Sequence, residues 1–102
     1  MFKTGFKEIK IKLPLDVIES ISSKEIIEML IDKALSKMEY YRSKSQKMEE
    51  IYGAKINGFK KKIERSKKEN FKEWDDLIVW EGYELAYKEW KKNYEELKHC
   101  KE

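Results

Sequence analysis

Few residues of this chain are of the types, at the spacings, that covalent chemistry needs. Its one histidine and one cysteine, His99 and Cys100, are neighbours at the C-terminal end. No Ser-His or Cys-His pair with an orienting third group can be built around them. There is no glycine-rich phosphate loop and no zinc-ligand spacing. The densest carboxylate group is Glu73, Asp75, Asp76 and Glu81. Such oxygen ligands suit magnesium, but helix N-termini also attract carboxylates through unpaired amides and the helix dipole. The expectation is a non-enzymatic protein with no catalytic residue, metal or cofactor.

Residues suited to binding are more prominent. The segment EWDDLIVWEGYELAYKEW interleaves acids with large aromatics. Aromatics anchor protein interfaces, and carboxylates beside them suit a basic groove on a partner, such as that of an RNA-cleaving protein. The same aromatics at helical spacing also suit a helix-packing core. Trp74, Asp75 and Asp76 precede the regular spacing and are the better interface candidates. Lys10 and Lys12 share one face of an alternating segment. Two such strands would form a ribbon that fits a DNA major groove; alternatively the lysines merely solubilise an exposed face. Residues 55–72 hold eight basic and two acidic groups, and residues 73–97 three basic and eight acidic. The two blocks either face charged partners or neutralise each other across a helical hairpin.

Positioning these residues requires the following elements. Phe6–Leu13 (FKEIKIKL) alternates apolar and polar residues, as a strand does, and Pro14 ends it. A lone strand is unstable, and no second run alternates as well. The expected partner is therefore the same strand of a second copy about a two-fold axis. A short helix over Leu15–Ile21 follows, and Ser22-x-x-Glu25 is a capping box that starts a long helix. Ile27, Ile31, Ala34, Met38, Tyr41, Ser45, Met48 and Tyr52 form an unbroken a/d seam, and Gly53 is a natural stop. A basic helix around Phe59 and Ile63 comes next. The last helix runs to Leu97 with a stripe of Trp80, Tyr83, Tyr87, Trp90, Tyr94 and Leu97. The fold class expected is mainly α with one short N-terminal β-strand paired in a dimer. Residues 1–53 would form the dimerisation region and residues 54–102 a helical, partner-binding arm.

The bulk composition agrees with exposed helices. The chain has 102 residues, 42% charged and 40% hydrophobic, with a net charge of +3. That charged share exceeds the roughly 25% usual for globular domains. A single cysteine excludes an intrachain disulfide, and no apolar run reaches signal-peptide or membrane-span length. A cytoplasmic location is expected.

The opening, IKIKLPLDVIESI followed by SSKEIIEMLIDKALSKM, resembles that of ribbon-helix-helix-type and related small antitoxins of prokaryotic type II toxin–antitoxin pairs. The remainder, with EEIYG, Phe59 and EWDDLIVWEGYELAY, looks like the C-terminal arm of antitoxins common in thermophilic archaea. The first helix is shorter than in ribbon-helix-helix domains, and lysines and a glutamate replace the usual strand arginine. The resemblance implies a homodimer that occludes a cognate toxin and binds operator DNA to regulate its own operon. By resemblance, toxin contact maps to Trp74, Asp75, Asp76, Trp80, Glu81 and Tyr83, and DNA contact to Lys10 and Lys12. The rival readings are a DNA-binding regulator without a toxin and a coiled-coil scaffold or adaptor.

Overall fold

The computed structural model describes residues 5–68 and 70–100. Four helices follow in order: α1 (Leu15–Ser20), α2 (Ser23–Tyr52), α3 (Ile56–Arg65) and α4 (Phe71–Leu97). No strand occurs among the described residues. The expected strand over Phe6–Leu13 is therefore corrected: this segment has neither helical nor strand structure. Its alternation is a side-chain preference, and a strand exists only when its backbone groups find a ladder partner. The described residues offer none. Phe6, Ile9 and Ile11 accordingly remain 80%, 79% and 70% exposed.

The long helix starts and stops where its side chains dictate. The Ser22 Oγ accepts from the Glu25 amide at 3.1 Å and donates to the Glu25 carboxylate at 3.3 Å. At the other end Gly53 adopts φ +63°, and its N–H reaches the Glu49 carbonyl at 2.7 Å. A residue with a Cβ resists that left-handed conformation. Chain direction then reverses through α3 into α4, whose first turn is capped by the Asn70 side-chain oxygen accepting from the Glu73 amide at 3.2 Å.

The helices α2 and α4 pack antiparallel along their length, and α3 packs on α4 at the closed end. The seam read from the sequence is the contact. Ala34 and Ser45 are buried, and Ile27, Ile31, Met38, Tyr41, Met48 and Tyr52 are half-buried. Residues of α4 meet them: Leu77 and Trp80 are buried, and Tyr83, Tyr87, Trp90, Tyr94 and Leu97 are half-buried. The two buried α2 positions carry small side chains, which lets the backbone approach a helix lined with large aromatics. The result is long and thin, 63 × 27 × 20 Å, with a radius of gyration of 19.4 Å. A compact domain of this size has about 13 Å.

The tightest packing lies at the closed end. Phe59 and Ile63 of α3 and Leu77 and Trp80 of α4 form a cluster, joined by Met48, Tyr52 and Ile56. Tyr52 stacks on Phe59 at 4.0 Å between ring centroids, and Phe59 lies 5.6 Å from Trp80. The open end is looser. There Gly5, Phe6 and Lys7 lie beside Leu30, Trp90, Leu97 and Cys100 around a shallow groove.

Removing the centre of the cluster is costly. Phe59→Ala or Trp80→Ala is expected to lose about 3–5 kcal/mol in urea unfolding, the range for large aromatic truncations in a core. The Ser45 Oγ is buried without a hydrogen-bond partner, so Ser45→Ala is expected to raise stability, by about 0.5–1 kcal/mol.

Candidate protein-binding face of α4

Two stripes run along α4 on different sides. The inward one, Leu77, Trp80, Tyr83, Tyr87, Trp90, Tyr94 and Leu97, is taken up by α2 and α3. The outward one is Phe71, Trp74, Ile78 and Leu85, which are 75%, 39%, 64% and 59% exposed. Their separations of three, four and seven residues place them in one row on a helix. Gly82 sits in this row between Ile78 and Leu85, and a Cβ there would meet nothing within 4 Å. Asp75 and Glu81, both exposed, are helical neighbours of the row on either side. The face is thus an apolar strip with a carboxylate on each flank.

The six residues expected to contact a toxin divide between these two sides. Trp74, Asp75 and Glu81 lie on or beside the outward row. Trp80 is 0% exposed in the core, and its indole Nε1–H is buried without a hydrogen-bond partner. Tyr83 is half-buried and faces α2, its ring 6.4 Å from that of Tyr41. Asp76 is half-buried and accepts hydrogen bonds from the Tyr52 hydroxyl and, at 3.0 Å, from Lys72 Nζ. It ties the closed end of α2 to α4. Phe71 and Leu85 did not figure in the sequence reading of the interface, although a second row at helical spacing is the signal that reveals them.

The Tyr52–Asp76 contact sets the electrostatics here. Burial raises the Tyr52 hydroxyl from its ordinary value of 10.0 to about 12, helped by the hydrogen bond to Asp76 and the charges of Asp76 and Glu73. The Tyr52 hydrogen bond, followed by that of Lys72, holds the Asp76 carboxyl below its usual range. Among the described residues no group of three or more His, Cys, Asp or Glu is placed to hold a metal ion. Of the four clustered carboxylates, Asp76 is engaged as described and Glu81 pairs with Lys60 at 3.6 Å.

Among the described residues, Lys60–Glu81 and the one-turn pair Lys72–Asp76 are the ion pairs that join the basic residues 55–72 to the acidic residues 73–97. Mutual neutralisation of the two blocks is therefore slight. Lys10 and Lys12 are exposed in the irregular segment before α1. No strand among the described residues supplies the two-stranded ribbon that would lay them in a groove. No helix among the described residues is long and apolar enough to cross a membrane. Comparison with protein-family models, with curated proteins and with solved structures found no match.

Both members of the Tyr52–Asp76 pair stabilise the fold in a defined pH window. The lowered Asp76 value contributes above the usual carboxylate range and is lost as pH falls through it. The raised Tyr52 value contributes below 10.0 and is lost as pH rises through about 12. Tyr52→Phe is expected to cost about 1–2 kcal/mol at neutral pH, with the difference from wild type shrinking in acid as Asp76 protonates. Ultraviolet titration of the same variant is expected to lack the phenolate absorbance that wild type develops near pH 12.

Proposed function

We propose that this chain is a non-enzymatic, antitoxin-like protein of the cytoplasm that neutralises a cognate partner protein by covering it with the outward face of α4. The observation that carries the reading is the row Phe71, Trp74, Ile78 and Leu85. These are large apolar side chains left in solvent on one side of a helix whose other side is already packed. A row of this kind fits a helix-in-groove contact, in which residues at helical spacing anchor in an apolar groove. The flanking Asp75 and Glu81 favour a groove with a basic rim, as an RNA-binding enzyme would have. Occlusion of that rim is the mechanism; no bond is made or broken.

Gly82 supports close approach. Glycine inside a helix costs about 1 kcal/mol relative to alanine, and no neighbour within the chain needs the space. A partner backbone resting against the helix at this point would use it.

Homodimerisation belongs to the same reading, on different residues. Phe6, Ile9, Ile11, Leu15 and Ile18 are 80%, 79%, 70%, 70% and 51% exposed. Side-chain packing between two copies, without a strand ladder, would cover them. Sedimentation equilibrium is expected to give twice the chain mass, and Leu15→Ser with Ile18→Ser the single mass.

Co-expression with the product of the adjacent gene tests the main proposal. The partner alone is expected to arrest growth, and this chain to relieve the arrest and co-purify with it. Trp74→Ala is expected to weaken the complex by about 30-fold, the loss of one hot-spot side chain. Gly82→Ala is expected to raise the stability of the free chain by up to about 1 kcal/mol while weakening the complex. A harmless neighbour that does not co-purify removes the proposal.

A further inference from the structure

The basic block of α3 and the turn after it is a second surface, separate from the outward row of α4. Between residues 61 and 68 the chain carries Lys61, Lys62, Arg65, Lys67 and Lys68 against a single acid, Glu64. All five cations are exposed. None has an ion-pair partner among the described residues. Helix α3 spends its apolar side on the core, with Phe59 and Ile63 only 1% and 6% exposed. Lys61 and Arg65, one turn apart, stand on the side away from that core, with Lys62 on its flank. The last turn of a helix favours cations through its dipole, which accounts for Lys62 and Arg65. It does not account for Lys67 and Lys68, which lie beyond the helix end.

We infer that this surface binds the phosphate backbone of a nucleic-acid duplex, without reading its sequence. Five unpaired cations within eight residues concentrate positive charge on one small region, and a polyanion releases condensed counterions when it docks there. A duplex is favoured over single strands because single-strand binders add aromatic platforms on which bases stack. The only aromatic of α3, Phe59, is buried. A lipid surface is disfavoured for the same reason: an interfacial helix inserts its apolar face, and here that face is the core. The inference is independent of the proposed protein partner and of Lys10 and Lys12.

Fluorescence anisotropy of the full chain with labelled random-sequence duplexes, DNA and RNA in separate arms, tests it across a salt series. Binding is expected at low salt, falling linearly in a log–log plot. The variant Lys61→Ala, Lys62→Ala, Arg65→Ala is expected to bind at least about 10-fold more weakly at low salt, with the slope reduced by about three, one per cation. Circular dichroism establishes that the variant is folded. Should it not fold, Lys67→Glu with Lys68→Glu, outside any helix, is expected to give a loss of similar size. The inference is overturned by absence of duplex binding at low salt, or by binding that both variants leave unchanged. Tighter binding to single strands than to duplex, or binding only to phosphatidylserine vesicles, overturns it equally.

Discussion

The antiparallel contact between α2 and α4 is the constraint on which everything else in the molecule depends. Neither helix could persist with its seam in water. Each has an apolar stripe and a charged back, and most of the stability of such helices comes from burying the stripe. Pairing them within one chain satisfies both at once. It also decides what is left over, because a side chain on the seam cannot contact anything else. The outward row of α4 is free because the seam has already been filled by the opposite side of the helix.

Much of this arrangement is legible in the amino-acid order. The three–four spacing from Ile27 to Tyr52 marks the α2 seam residue by residue, and the spacing from Trp80 to Leu97 marks that of α4. Ser22, Glu25 and Gly53 announce the ends of α2 through chemistry that acts over only a few residues. Spacing alone does not reveal which seam meets which. A heptad pattern is equally suited to a partner in the same chain or in another, and only the short connection through α3 favours the hairpin.

What the amino-acid order does not reveal has physical causes of the same kind. Alternation in Phe6–Leu13 describes side chains, whereas a strand is a property of paired backbones, and no pairing partner exists among the described residues. The aromatic-acidic segment of α4 is continuous in sequence, but a helix distributes consecutive residues around its axis. Trp80 and Tyr83 therefore turned inward while Trp74 and Asp75 turned outward. Asp76 looked like a free carboxylate until the fold brought Tyr52 to it across 24 residues of sequence. Local charge counts leave open whether α4 neutralises the basic block; only tertiary placement shows Lys60 paired with Glu81 while Lys61, Lys62 and Arg65 face no carboxylate among the described residues.

The uneven distribution of packing along the hairpin has a mechanical consequence. The aromatic cluster clamps the end where the chain turns, while towards the far end Ala34 is buried and the other seam residues are only half-buried. Local opening costs least where few side chains are buried, so the loose end is expected to separate before the clamp. The stretch of α4 bearing Phe71, Trp74 and Ile78 spans the clamp, because Leu77 and Trp80 anchor it from behind. The partner proposed for that stretch would meet a helix already held from behind by buried side chains, and would spend little entropy in ordering it.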